Sequence, residues 1–231
     1  MREQNRALLE ALRADIVASS TVSLTAAPLQ AARDQLISSF DAIHGGFGGA
    51  PKFPHPTNLD RLLRHWIDSI QRGELDQQAE TAVLVTLRNM ASGGIYDHLG
   101  GGFYRYSVDG EWQIPHFEKM LYDNGPLLAL YAQAWRVTQN PLFRAVAEET
   151  GEWAMREMQA PDGGYYATFD ADSEGEEGRF YLWTPDQARA LFEHQKIPPR
   201  RLSTPGSPGS TARLALADRR RSRRTGRPIG G

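Results

Sequence analysis

The 231-residue chain is 40% hydrophobic and 23% charged, the balance of a soluble globular protein of one large domain or two small ones. It has no cysteine, which excludes disulfides, zinc–thiolate centres and thiol catalysis and fits a reducing, cytoplasmic setting. Its formal charge of −2 conceals two compositions, because residues 197–231 carry nine Arg and one Asp and the remainder therefore carries −10.

Residues 1–28 read as an N-terminal helix and linker. Acidic side chains interrupt the apolar pattern of MREQNRALLEALRADIV, unlike a secretory signal, and no apolar run approaches a membrane span. Leu29, Ala32, Leu36, Phe40 and Ile43 form a helical stripe. The glycine-rich GGFGGAPK at 45–52 lacks the Gly-Lys-Ser/Thr of a phosphate loop. Lys52, Phe53 and His55 are therefore expected in an extended, Pro-fixed segment. Leu59, Leu62, Leu63, Trp66, Ile67 and Ile70 give a one-face amphipathic helix, with Thr57 and Asp60 as its capping box. A third helix runs from about Asp76 to Ser92 and stops at Gly93-Gly94. The segment Lys119–Val137 is apolar nearly all round, the pattern of a helix buried on several sides. Asn140-Pro141 starts a helix through Met158, and Thr184-Pro185-Asp186-Gln187 starts a last short one to His194.

Two β-hairpins are expected between these helices. One pairs 102–108 with 112–114 around Asp109-Gly110. The other pairs 164–169 with 179–183 around the acidic tip DADSEGEEG. Helix followed by Gly-Gly-aromatic recurs at Gly45, Gly93 and Gly163, at intervals of 48 and 70 residues. That recurrence suggests an array or toroid of helix pairs with its loops gathered at one end. From Ile197 the chain is rich in Pro, Gly, Ser and Arg and has no aromatic residue, a disordered composition.

The long connection Gly93–Asp123 gathers most of the ionisable candidates, and loops of that kind are usually functional. His116 suits proton transfer near neutral pH, with Glu118 beside it; the competing reading is a loop histidine on backbone carbonyls and a glutamate at a helix N-terminus. Asp97 would orient His98, while Arg105 and Tyr106 would grip a hydroxyl or carboxylate. A self-satisfied network of these residues needs no ligand. Tyr122 and Asp123 open the all-apolar helix, where a carboxylate must be paired, solvated by a cavity or used as a cap. Asp170, Asp172 and Glu174 begin like a calcium loop, but position twelve is Tyr181 where a bidentate Glu is required. No metal is expected there; substrate contact competes with a solvated hairpin tip, Glu176 and Glu177 above all. The Arg-rich tail lacks aromatic interleaving, so no specific nucleic-acid partner is expected.

Three stretches carry a family likeness: GGFGGAPKFPHP (45–56), GGIYDHLGGGFYRYSVDGEWQIPHFEKMLYDN (93–124) and DADSEGEEGRFYLWT (170–184). In this order they closely resemble the YyaL-type thioredoxin-domain-containing proteins, over about Leu29 to Phe192. The resemblance implies an N-terminal thioredoxin-like domain followed by an (α/α) toroid similar to six-hairpin glycosidases and N-acylglucosamine 2-epimerases. The chain departs from that pattern twice. It has no thioredoxin-like domain and no Cys, so no redox activity carries over. The family pattern also stops near Lys196, where an abrupt basic segment has the look of a shifted reading frame. The expected fold is thus all-α: an incomplete (α/α) six-hairpin toroid over 29–196, small β-hairpins in its loops, and a disordered tail over 197–231. An apolar edge left by missing hairpins would favour self-association.

The resemblance implies an epimerase, isomerase or glycosidase acting on a carbohydrate or related small molecule, with no cofactor and no membrane partner. The truncated chain itself is expected to be largely inactive. His116, Glu118, Asp123 and His98 are the candidate catalytic groups. Asp97, Arg105, Tyr106, Trp112, Tyr122, Asp170, Asp172 and Glu174 are the candidate substrate contacts, the aromatic ones by stacking on sugar faces. The alternative is a non-enzymatic scaffold that binds a ligand or a protein.

Overall fold

The computed structural model describes residues 25–184 together with 186, 187, 189 and 190. The expected helix before residue 25, the end of the last helix at His194 and the 197–231 tail lie outside the described residues. Among the described residues five α-helices carry the fold: α1 (Ala27–Ser38), α2 (Pro56–Gln71), α3 (Gln77–Ser92), α4 (Leu121–Thr138) and α5 (Pro141–Trp153), the last running into a π turn over Ala154–Met158. Helix α2 packs on α3 and on α4, α3 on α5, and α4 on α5. The pairs α2–α3 and α4–α5 therefore lie side by side in two layers, the arrangement of an incomplete helical toroid. No described helix is long and apolar enough to cross a membrane.

The apolar stripe of α2 explains its place, since Leu59, Leu62, Leu63 and Trp66 are buried on one face. Each fully buried side chain of this size contributes about 1.5–3 kcal/mol. Its start differs from the expected capping box. His55 precedes it in the left-handed conformation, Pro56 opens it, and no side chain caps it. Asp60 instead pairs with Arg64. Helix α3 is capped by Asp76, which accepts from the Gln78 and Ala79 N–H groups. Arg33 of α1 binds both oxygens of Asp76 at 2.7 Å, so one carboxylate ends α3 and ties α1 to it. Helix α1 stops at Ser38, short of the Ile43 stripe, and Ile43 is exposed. Asn140 caps α5 through the Leu142 N–H, as its Asn-Pro signature predicts. Thr184 and Gln187 form the reciprocal capping box expected of them.

The hairpins depart from their predicted register. Strand β1 (Tyr106–Ser107) pairs with β2 (Pro115–His116), so the turn is wider than Asp109-Gly110 alone. The Asp109 carboxylate accepts from the Glu111, Gln113 and Ile114 N–H groups and organises that wide loop. Trp112 is not in a strand; it sits at positive φ with its ring fully buried. Strand β3 (Lys119–Met120) takes the start of the predicted fourth helix, and it pairs with β4 (Thr168–Phe169). The predicted partner of 164–169 was 179–183. The acidic tip forms its own hairpin instead, β5 (Asp172–Ser173) with β6 (Glu176–Glu177).

Two glycine turns hold the helix pairs together and are near copies of each other. In the first, Asp41 Oδ1 accepts from the Ile43 and His44 N–H groups, and the Gly45 N–H returns to the Asp41 carbonyl. In the second, Asp97 Oδ1 accepts from Leu99 and Gly100, and the Gly101 N–H returns to the Asp97 carbonyl. Each turn closes with two glycines at positive φ, Gly45-Gly46 and Gly101-Gly102. Each is clamped by one buried lysine. Lys52 Nζ meets Asp41 Oδ2 at 2.6 Å and the Gly45 carbonyl at 2.9 Å. Lys119 Nζ meets Asp97 Oδ2 at 2.7 Å and the Gly101 carbonyl at 2.8 Å. The true repeat is Asp-x3-Gly-Gly-Phe at 41–47 and 97–103, not the Gly93 site that the sequence pattern marked.

Lys119 lies within cation–π reach of Tyr104, Trp153 and Tyr181. Burial raises the proton affinity of Asp97, but the Lys119 charge and the Lys119, Gly100 and Leu99 hydrogen bonds outweigh it and hold the carboxyl below its ordinary value. Burial also draws the Lys119 ammonium towards its neutral form. A neutral lysine would strand the Asp97 charge, so the pair holds as two ions.

Replacing Lys119 by Met leaves Asp97 buried without its cation and is expected to lower stability by about 3–5 kcal/mol in urea unfolding; an unchanged midpoint would show that the pair does not hold the turn. Gly102→Ala puts a Cβ 2.7 Å from the Trp153 ring at a φ of +81. It should cost about 2–4 kcal/mol, whereas Gly110→Ala, which meets nothing, serves as the neutral control.

Candidate functional site

The site is assembled where β1, β2 and the start of α4 meet. Extended chain alternates its side chains between faces, and residues 116–119 do so. Phe117 stacks on Tyr181 at 5.5 Å and Lys119 is buried, while His116 and Glu118 turn the other way. Arg105 stands beside them because its N–H donates to the Glu118 carbonyl. Its guanidinium then reaches Glu118 Oε2 at 2.7 Å and also meets Tyr122. His116 Nε2 lies 3.7 Å from the same Glu118 oxygen. Its Nδ1 lies 2.6 Å from Glu177 Oε1.

Rings line one side. The Lys52 backbone exchanges both hydrogen bonds with Ser107, which sets Phe53 next to Tyr106 at 4.8 Å. Tyr106 stacks on His116 at 4.8 Å and 18°. Phe53, Tyr106 and His116 thus form one continuous row, with Phe53 and Tyr122 exposed.

Asp123 lies in the first turn of α4, where no side chain caps the helix. The capping alternative for this carboxylate is therefore not the one adopted. Burial and the nearby Glu118 charge push its carboxyl up to about 6, against the opposing pull of Arg105. Glu118 and Asp123 are thus two carboxyl groups in unlike surroundings, one held by an arginine and the other partly desolvated.

The structure brings His116, Glu118, Asp123, Arg105, Tyr106 and Tyr122 together. Other candidates go elsewhere. Asp97 serves the Lys119 clamp and does not orient His98. His98 Nε2 binds the Gly93 carbonyl and its ring meets the Tyr96 edge. Trp112 is 0% exposed and donates to the His44 carbonyl, so it presents no face to a sugar. Asp170 bonds its own turn through the Asp172 N–H, and Glu174 pairs with Arg179. Asp172 sits in β5, exposed. No group of three metal-ligating side chains occurs among the described residues. Sequence reasoning missed Glu177, set aside as a solvated tip, and Phe53. The pairing of 170–178 with itself, which points Glu177 back at the body, has no strong turn signal beyond Glu174-Gly175.

No family model matches the chain. Among solved structures, the chain is similar to a sugar epimerase from a ruminal bacterium (TM-score 0.49, 16% identity, 64% of this chain and 44% of that one). It is also similar to cellobiose 2-epimerase from Spirochaeta thermophila (TM-score 0.48, 20% identity, 76% and 52%). Spermatogenesis-associated protein 20 from Rattus norvegicus is 42% identical over 164 residues, 68% of this chain. The Homo sapiens protein of that name is 40% identical over the same share. An uncharacterised Caenorhabditis elegans protein is 40% identical over 171 residues. The chain spans about one fifth of the length of these curated relatives, 21% for the rat protein. Across the matched residues, the chain is similar to one stretch of spermatogenesis-associated protein 20.

Proposed function

We propose that this segment carries a proton-transfer site for a carbohydrate or related polyhydroxylated molecule, acting by epimerisation or isomerisation. One observation carries the reading: His116, Arg105-held Glu118 and the partly desolvated Asp123 lie beside a row of rings whose Phe53 end is exposed. A carboxyl whose proton affinity is raised by burial beside other polar groups marks a candidate for proton transfer. His116 Nε2 is the proton acceptor. Asp123 holds or returns a proton, and Arg105 binds the hydroxyl or carbonyl oxygen that gains negative charge. Phe53 and Tyr122, both exposed, offer apolar faces for a sugar ring, while Tyr106 is taken up between Phe53 and His116. Glycoside hydrolysis would use the same carboxyl groups as an acid and base pair, but a histidine in the cluster favours proton abstraction next to a carbonyl.

Incubating the full chain, and beside it a full-length relative in which the site is intact, with a panel of aldoses and ketoses in deuterated water tests this. Deuterium appearing at the carbon next to the carbonyl, and lost in His116→Gln, is the expected result in proton spectra. Calorimetric binding without exchange would assign a ligand-binding scaffold, and neither binding nor exchange would reject the proposal.

The Asp123 environment has its own test. A carboxyl raised to about 6 against about 3.9 unfolded contributes stability below pH 4 that is lost as pH rises through 6. Asp123→Asn removes that loss. It should match the parent near pH 3.5 and exceed it by about 1–2 kcal/mol at pH 8, a value already reduced for partial exposure. Equal stabilities at both pH values would show that the carboxyl is not desolvated.

A further inference from the structure

The acidic hairpin reaches the site through Glu177, a residue that reads as solvated tip, and not through Asp170, Asp172 or Glu174. Gly178 follows Glu177 at a φ of +71, and a Cβ there would stand 2.4 Å from the Phe117 ring. The Gly178 N–H donates to the Ala171 carbonyl at 2.8 Å, and the Gly178 carbonyl accepts from Tyr181 and Leu182. Phe117 is itself locked against Tyr181 and Tyr104. The backbone on the C-terminal side of Glu177 is therefore seated on the ring next to His116. The other hairpin glutamates are engaged away from the histidine: Glu174 pairs with Arg179 at 2.9 Å and Glu176 approaches the same guanidinium at 3.6 Å.

Glu177 Oε1 lies 2.6 Å from His116 Nδ1. An ionised carboxylate can only accept, so the proton between them belongs to Nδ1. In the neutral ring that leaves the lone pair on Nε2. Among the described residues Nε2 has no hydrogen-bond partner: Glu118 Oε2 is 3.7 Å away and already accepts from Arg105. Tyr106, stacked on the ring, fixes its plane.

We propose that Glu177 is a positioning residue that holds His116 in the Nδ1-protonated tautomer and so presents Nε2, unbonded, to the Arg105–Glu118 side of the site. This rests on the reading of His116 as the proton-transfer group, but the tautomer is a property of the chain without any substrate. Free imidazole side chains in water favour the opposite tautomer, with the proton on Nε2. The effect of Glu177 is therefore visible as a reversal.

Long-range proton–nitrogen correlation spectra of the full 15N-labelled chain read the tautomer directly, at a pH where the ring is neutral. The His116 signals are assigned by their loss in His116→Gln. The expected result is a protonated Nδ1 and a bare Nε2 in the parent chain. Glu177→Ala should move the proton to Nε2, and Glu174→Ala, which removes a hairpin charge without touching the ring, should leave the parent tautomer. A parent chain already protonated on Nε2 overturns the proposal, as does a Glu177→Ala chain that keeps the parent tautomer. A reversal in Glu177→Ala in a chain that exchanges no sugar deuterium supports the positioning and rejects only the reaction.

Discussion

The buried ammonium of Lys119 is the point from which the rest of the site is set out. Its contacts are the Asp97 carboxylate, the Gly101 carbonyl and the rings of Tyr104, Trp153 and Tyr181. Those groups come from the glycine turn, the end of the α5 pair and the segment after the acidic hairpin. A cation with no water must be surrounded by acceptors and π faces, so burying one lysine obliges three separate segments to meet. Once Lys119 points inward, Glu118 must point outward. The same turn closes on Asn124 of α4, which binds the Phe103 N–H and carbonyl. The start of α4, and Asp123 with it, is thereby fixed relative to Arg105.

Lys52 repeats the device one helix pair earlier, with Trp112 in place of the three rings. Its partner Asp41 is held down to about 2: burial opposes, while the Lys52 hydrogen bond and the His44 and Ile43 N–H groups prevail. The repetition explains why glycine is needed at both turns. At Gly45 a Cβ would meet the Thr86 backbone, and at Gly101 the Glu149 backbone. Each turn therefore lies directly against a helix of the second layer, α3 or α5. Repeating the module places both loops at the same end of the arc, and the Lys52–Ser107 ladder then joins them edge to edge. The row of rings from Phe53 to His116 runs along that seam.

How much of this was legible depended on the range of the interaction. The helices were readable because their signals are local: the α2 stripe, the Asn140 cap, and the Pro-Asp-Gln start after Thr184 all act within four residues. The helical toroid followed from the recurrence of helix and glycine turn, although the recurrence was marked at Gly93 and the copied turn is at Gly101. Clustering of His116, Glu118, Arg105 and Asp123 was legible because they fall in one connection. What failed was pairing at a distance. Lys119 looked like the first residue of an apolar helix, since nothing local says that residue 119 will pair with residue 169. Asp97 and Trp112 looked like site residues because ionisable and aromatic side chains in a glycine-rich loop read alike whether they face a ligand or a neighbouring turn. The distinguishing sign was the second Asp-x3-Gly-Gly-Phe, which marks Asp97 as half of a structural module.

The carboxylates divide accordingly. Asp41, Asp76 and Asp97 each accept backbone N–H groups and face a cation, and each is held below the ordinary carboxylate range. These are the acids of the framework, ionised wherever the fold is intact. Asp123 departs in the other direction because it is partly desolvated and its nearest cation is already engaged by Glu118. A framework acid exchanging its proton would unfasten a turn, whereas Asp123 can exchange one and leave the clamps untouched. The separation matters for any proton-transfer chemistry at this end of the arc, because the group that must change its charge is insulated from the groups that must not. The histidine completes the division: its ring is stacked on Tyr106 and bonded to Glu177, yet neither contact belongs to a lysine clamp. His116, Glu118 and Asp123 thus stand apart from the lysine clamps that hold the two turns.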